Sequence, residues 1–381
     1  MSLDHTPTEL ETLSELPLPA ADELVERFPL TPNPAPASDA VHEEVMSNPG
    51  FGKAFTDHMA HMVWTLEEGW HGREVLPFAN LSLSPAASVL HYGQEVFEGI
   101  KAYRHEDGSV WTFRPGYNAA RINHSSWRLA MPAIDHEDFV ASLAAYVRAD
   151  ERWVPSGEGA SLYLRPFVVA TEPFLGVRSA HRFDYYVIGS PSGPYFKGGP
   201  KGVSIEVVRG FHRAGPGGTG SAKCGGNYAA SLLPQMEACE RGFDQVCFLD
   251  TYEEKYLEEL GGMNVFVVMS DGSVRTPQLS GTILQGGTRS AICRLMRDRG
   301  VDVREERIAV DDLVAGVESG AVAEVFACGT AAVVTPIARL AGQDFDVRLP
   351  VGDRTLEILH AVTDIQMGRA EDPYGWTYRI L

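Results

Sequence analysis

Residues 213 to 228 read RAGPGGTGSAKCGGNY, and the rest of the chain is interpreted around this stretch. Gly215, Gly217, Gly218, Gly220, Gly225 and Gly226 allow turns that a Cβ resists. A single lysine, Lys223, stands among them. A strand-like run, VSIEVVR from Val203, leads in, and a helix-like run, NYAASLLPQMEACER, leads out. A lysine presented by small residues is placed to touch a ligand.

Three readings compete for the stretch, beside that of a plain surface loop. Gly215-x-Gly217-x-x-Gly220 spells a dinucleotide fingerprint after a strand, but its third glycine should open a helix, and here Lys223 and two further glycines intervene. A phosphate loop needs Gly-Lys-Ser/Thr after its second glycine, whereas this chain has Gly220-Ser221-Ala222-Lys223. The third reading is a lysine held for covalent work on a carbonyl.

The chain has 381 residues, 44% hydrophobic and 22% charged, enough for two domains with real cores. A net charge of −19 argues against a nucleic-acid partner and requires a local cationic site for any anionic ligand. The five cysteines (Cys224, Cys239, Cys247, Cys293, Cys328) form no CxxC pair. That pattern predicts a reduced, cytoplasmic chain with no disulfide framework. No signal-peptide pattern is expected at the acidic N-terminus, and no apolar run approaches membrane-spanning length. His58-x-x-His61 has metal-like spacing but lacks a third ligand, so no metal is expected.

Proline and acid dominate residues 1–45, which read as an extension lying over the surface or partly disordered. An N-terminal α/β domain is expected over 46–189, an interdomain loop over 190–202 (SPSGPYFKGGPKG), and a larger α/β domain over 203–381. In the first domain, strands are predicted at Met59–Leu66, Val110–Phe113, Ser161–Ala170 and Phe183–Gly189, with helices over Asn118–Met131 and from an Asp135 cap to Arg148. Arg165 breaks an apolar strand and therefore needs a partner. In the second, strands are predicted at Gln245–Asp250, Tyr256–Glu259, Asn264–Met269 and Ala323–Cys328, with a hairpin at Asp271-Gly272. Gly286-Gly287-Thr288 opens a helix that stops at Gly300. Pro234 should kink or end the helix that follows Lys223.

A covalent lysine suggests pyridoxal 5'-phosphate (PLP), which needs an anion site, a carboxylate for its ring nitrogen, a donor for its phenolic oxygen and an apolar face. Gly287 and Thr288 at a helix start, Thr330 after a strand, and Arg121 can serve the phosphate. Tyr228 can reach the phenolic oxygen, and Glu258 or Glu259 the ring nitrogen.

GGTGSAKCGGNYAAS, LHYGQEVFEGIKAYR, SLYLRP, EELGGMNVF, GTILQGGTR and VFACGTAAVVTP together resemble the branched-chain amino acid aminotransferases, class-IV enzymes of PLP fold type IV. The resemblance runs from about Phe51 to the C-terminus. It implies two α/β domains (α+β type) with the cofactor between them, a homodimer, and reversible transamination of leucine, isoleucine and valine with 2-oxoglutarate to give 2-oxo acids and glutamate.

Residue by residue, the resemblance makes Lys223 the Schiff-base lysine, Tyr228 the tyrosine on the phenolic oxygen, and Glu259 rather than Glu258 the carboxylate on the ring nitrogen. Arg121, Gly287, Thr288 and Thr330 become the phosphate contacts, and the Thr330–Ala331 backbone the α-carboxylate site. Phe55, Tyr92, Phe97 and Tyr163 become pocket walls, Arg165 the partner of glutamate's distal carboxylate, and Arg213 a further arginine nearby. Some relatives carry a CxxC pair where this chain has Ala332 and Thr335. Other class-IV enzymes, a D-amino acid aminotransferase or an aminodeoxychorismate lyase, are the enzyme alternatives, and the long aromatic-rich first half argues against both; a PLP-binding protein without turnover is the other, and Lys223, Tyr228 and Glu259 together argue against it.

Overall fold

The computed structural model describes residues 7–194 and 202–381. Most of the expected 190–202 loop lies outside the described residues, and Ser190–Ser192 continue a strand. The chain divides into two compact units. One takes Met1–Tyr195, Ala222–Gly225 and Ile365–Leu381, and the other takes Phe196–Ser221 and Gly226–Asp364.

The first unit begins with helices α1 (Pro7–Ser14), α2 (Ala21–Leu24) and α3 (Asp39–Ser47). Of the extension expected to lie over the surface or be partly disordered, residues 7–47 carry these three helices, and buried side chains begin at Leu10. Leu10 is buried with Tyr117 and Ala120, and Leu24 and Phe28 enter the main core. Arg114 pairs with Glu11 at 2.6 Å, and Arg148 with Asp22 at 2.5 Å. Apolar residues spaced among the acids supply this anchorage, which composition alone does not reveal.

Strands β1 (His58–Thr65) and β2 (Gly69–Pro77) form a hairpin, and Gly69 takes the left-handed conformation at φ 67° that the turn needs. Helix α4 (Ser88–Tyr92) stops at a left-handed Gly93. Then come β3 (Glu95–Phe97), β4 (Ile100–Arg104), β5 (Val110–Phe113), α5 (Pro115–Arg128), α6 (His136–Ala149), β6 (Ser161–Ala170) and β7 (Arg182–Ser192). Proline opens α5, where its missing N–H costs nothing. Asp135 caps α6 by accepting from the Glu137 and Asp138 amides.

The sheet runs Thr377–Arg379, β5, β4, β6, β7, β1, β2, with β3 on β6, and these pairs are antiparallel. Helix α6 packs on β1, β2 and β7 and buries Phe139, Val140, Leu143, Ala144 and Val147 completely or nearly so. Each large apolar side chain buried there contributes about 1.5–3 kcal/mol.

The second unit comprises β8 (Val203–Val207), α7 (Gly225–Glu240), β9 (Gln245–Leu249), β10 (Leu257–Leu260), β11 (Asn264–Met269), β12 (Val274–Pro277), α8 (Gly287–Asp298), β13 (Val303–Glu306), α9 (Val310–Ser319), β14 (Val322–Gly329), β15 (Val333–Ala341), β16 (Asp346–Arg348) and most of α10 (Asp353–Gln366). Its sheet runs β10-β9-β8-β15-β14-β11-β12-β13, with β16 on β15. The β8–β9, β8–β15 and β12–β13 pairs are parallel. The mixed α/β architecture matches the expected class.

Pro234 does not end α7, which continues through it as one helix. The bond it forgoes would run to the Ala230 carbonyl, and Ala230 is exposed, so solvent can satisfy that group.

Candidate active site

The predicted site residues fall into two groups, one in each unit. In the first unit, Ala222–Gly225 is tied down along its length. Ala222 and Cys224 are buried in the core on either side of Lys223. The Lys223 amide donates to Ser125 Oγ at 2.8 Å, and its carbonyl accepts from the Phe97 amide at 3.0 Å. The Gly225 amide donates to Glu95, whose carboxylate would collide with any Cβ at that position. With the main chain fixed, the side chain emerges with Nζ 4.8 Å from the centroid of the Phe97 ring.

Arg165 shares that ring. Its guanidinium carbon lies 4.7 Å from the Phe97 centroid and 5.4 Å from that of Tyr163, and Nη2 donates to the Tyr163 hydroxyl at 3.1 Å. Tyr163 and Arg165 lie two apart on β6 and so share a face. Among the described residues, Arg165 Nε is buried without a hydrogen-bond partner. Phe51 packs edge-on against Tyr163 at 5.0 Å. Phe55 and Tyr92 have other neighbours. Phe55 stacks on Phe78 at 5.4 Å, and the Tyr92 hydroxyl donates to the Leu175 carbonyl.

Arg121 sits in α5 and is buried against Glu98, which is wholly enclosed. Nε and Nη2 donate to the two carboxylate oxygens, each at 2.7 Å, and Asn118 adds a third donor at 2.7 Å. Glu95, Glu98 and Ser125 were not singled out from sequence. Two of them flank Phe97 in the motif LHYGQEVFEGIKAYR, and a glutamate on each side of an aromatic strand was the available signal. Burial raises the pKa of Glu95, against the Gly225 amide and the Arg165 charge, which lower it.

In the second unit, Glu259 is buried and ion-paired with Arg213. The Leu284 amide donates to Glu259 Oε1 at 2.9 Å, and Asn264 Nδ2 to Oε2 at 3.4 Å. Arg213 Nη2 also donates to the carbonyls of Gly220 at 2.7 Å and Thr282 at 3.1 Å. The Tyr228 ring passes close to Gly262, 3.7 Å from where a Cβ there would stand.

Gly287 and Thr288 open α8 behind Gly286, which offers no capping side chain and whose Cβ would overlap the Asn264 amide. Thr330 and Ala331 form the tight turn between β14 and β15. The turn ends at Val333 with φ 60°, a strained conformation for a β-branched residue.

Both histidines of His58-x-x-His61 are engaged elsewhere, His58 by Asp150 and Asn33, and His61 by Glu74 and Asp184. Among the described residues no cluster of His, Cys, Asp and Glu is arranged to hold a metal ion, and no helix is long and apolar enough to cross a membrane. Burial pushes the thiol of Cys247 up to about 12 and that of Cys328 higher still.

The sequence model of the amino-transferase class IV family matches residues 95–340. The chain belongs to the class IV aminotransferase family. A branched-chain-amino-acid aminotransferase of Mycolicibacterium smegmatis is 49% identical over 360 residues, covering 93% of this chain and 98% of that one. Among solved structures, the branched-chain aminotransferase of Thermoproteus uzoniensis with norvaline superposes at TM-score 0.69 and 26% identity, covering 84% of this chain and all of that one. A T.th. branched-chain amino acid aminotransferase complexed with N-(5'-phosphopyridoxyl)-L-glutamate gives TM-score 0.68 at 28% identity, covering 84% of this chain and 99% of that one. The resemblance read from the motifs is thus borne out, as are the fold type and the assignment as an aminotransferase, a transferase enzyme.

Proposed function

We propose that this class IV aminotransferase moves the amino group of leucine, isoleucine or valine to 2-oxoglutarate, giving branched-chain 2-oxo acids and glutamate, with PLP bound covalently to Lys223. The observation that carries this reading is the setting of Lys223: both of its peptide groups are fixed, and its amine extends beside Phe97, the ring that Arg165 shares. The names of the relatives support it too, since the M. smegmatis protein is a branched-chain-amino-acid aminotransferase.

The residues present fit such a cofactor. The start of α8 is backbone without a capping side chain, at a glycine that a Cβ would clash out of place, and such helix starts favour phosphate. Gly287, Thr288, Thr330 and Arg121 would hold the phosphate, Tyr228 the phenolic oxygen, and Glu259 the protonated ring nitrogen. When bound, PLP supplies a carbonyl that condenses with amines and a ring that draws electrons from the substrate α-carbon.

The chain's own residues do the rest. The Thr330–Ala331 backbone receives the substrate α-carboxylate. Phe55, Tyr92, Phe97 and Tyr163 exclude water around the apolar side chain. Arg165, whose Nε is buried without a hydrogen-bond partner among the described residues, receives the distal carboxylate when glutamate or 2-oxoglutarate occupies the same pocket. Lys223 Nζ, freed when the substrate amine takes its place on the cofactor, takes the proton from the substrate α-carbon and later returns one, a general base and acid in turn.

A homodimer is part of the proposal, supported by the exposed Leu232, Leu233 and Met236 on α7. A cytoplasmic setting suits five cysteines without a CxxC pair. The test is a coupled assay of leucine, isoleucine, valine and D-alanine with 2-oxoglutarate, together with borohydride reduction and peptide mapping. Turnover of the branched donors and a label on Lys223 are expected. Turnover of D-alanine alone, or a label on another lysine, overturns the reading.

A further inference from the structure

We propose that Glu258 is a positioning residue for Glu259, acting through the segment Thr282–Leu284 and through Arg213. The inference rests on Glu259 being the carboxylate that serves the cofactor's ring nitrogen.

Glu258 and Glu259 are neighbours on β10, and both are buried. Successive strand residues face opposite ways, and the two carboxylates have different surroundings. Glu258 lines a cavity of about 240 Å³ with Tyr256, Ser280, Thr282, Ile283 and Arg307. Glu259 instead meets Leu284, Asn264 and Arg213. Enclosing a second carboxyl beside the first is unfavourable unless it is bonded. Burial raises the pKa of Glu258, against the Thr282 hydroxyl and the Arg213 charge, which lower it.

That bond is the link. The Thr282 hydroxyl donates to Glu258 Oε1 and lies 2.7 Å from Ser280 Oγ. The same residue's carbonyl accepts from Arg213 Nη2 at 3.1 Å, and Arg213 forms the ion pair with Glu259. Two residues on, the Leu284 amide donates to Glu259 Oε1 at 2.9 Å. One short segment is thus pinned at its side chain by Glu258, while its main chain holds Glu259 directly and through the arginine.

The arrangement has little slack. Among the described residues, Arg213 Nε is buried without a hydrogen-bond partner, so this guanidinium is held from its Nη2 end. The Thr282 backbone packs so closely on Gly220 that a Cβ there would overlap it. Loosening Thr282 therefore displaces two of the groups that orient Glu259.

The test uses the PLP-loaded enzyme with leucine and 2-oxoglutarate. Thr282→Val and Glu258→Ala are expected to lower kcat about tenfold, with KM for leucine unchanged within about twofold, and to shift the absorbance band of the bound cofactor. Thr282→Ser and Glu258→Gln, which keep the hydroxyl and the acceptor, are expected to restore both. Wild-type kcat and absorbance in Thr282→Val and Glu258→Ala overturn the inference, as does a loss in Thr282→Ser equal to that in Thr282→Val. The wild-type enzyme separates the two levels. If it binds PLP and turns over while the variants match it, only the positioning role fails. If it does neither, the proposed function fails and the inference with it.

Discussion

Arg121 and Glu98 form a two-point ion pair, Nε to Oε1 and Nη2 to Oε2, each at 2.7 Å, with both side chains almost wholly buried. Glu98→Ala removes the carboxylate that neutralises Arg121. Breaking a buried pair in this way costs about 3–5 kcal/mol. The urea midpoint should fall accordingly, and PLP should be retained less tightly. Glu98→Gln, which keeps an acceptor, should lose less. An unchanged midpoint in Glu98→Ala would show that the pair does not hold α5 in place.

Lys223→Ala should remove the visible absorbance of the bound cofactor and lower turnover about 10³-fold or more. Thermal stability without cofactor should hardly change, because the bonds to Ser125 and Phe97 use the lysine main chain. Absorbance, turnover and circular-dichroism melting measure the three quantities separately. Retained turnover would transfer the role to another amine.

Glu259→Gln keeps an acceptor for the Leu284 amide but removes the charge facing Arg213. Turnover should fall about 10²-fold, with the folded state retained. Steady-state kinetics beside a melting curve are the check, and an unchanged kcat would mean that another carboxylate serves the ring.

His61 predicts a pH dependence of stability. Burial disfavours its charge, but hydrogen bonds and attraction from Asp184 and Glu74 outweigh this and raise its pKa above 6.5. Asp184 is itself faced by Arg182 at 3.6 Å, and Tyr186 stacks on the imidazole at 4.7 Å. A raised folded-state pKa means that the stabilisation is fully present below about pH 6.5 and is lost as pH climbs through the folded value. Unfolding free energy should therefore decline over that window, and His61→Gln should flatten the slope. Equal slopes in the two proteins would remove His61 from the account.

Local signals in the chain carried much of this architecture. The Asp135 cap, the Asp271-Gly272 turn and the alternation along Ser161–Ala170 depend on neighbours a few residues away, so the elements appear where the pattern puts them. Lys223 was legible for the same reason, since a lysine among glycines is a local statement. Glu98 and Ser125 were not. Their partners lie 23 and 98 residues away in sequence, and only the folded unit brings them together. The helices near the N-terminus were hidden by proline and acid, because the few apolar residues that anchor them, Leu10, Leu24 and Phe28, are spread thinly. At Pro234, of the kink or stop that the local rule predicts, the stop does not occur, and the affected carbonyl belongs to an exposed residue.

The strand Thr377–Arg379 lies at the edge of the first unit's sheet, against β5. Domains tend to fold in the order they leave the ribosome, yet this one receives its border strand from residues that follow the second unit in the chain. The first lobe thus stays unfinished throughout synthesis of the second, and a nonsense codon just before Thr377 would leave β5 as an open sheet edge.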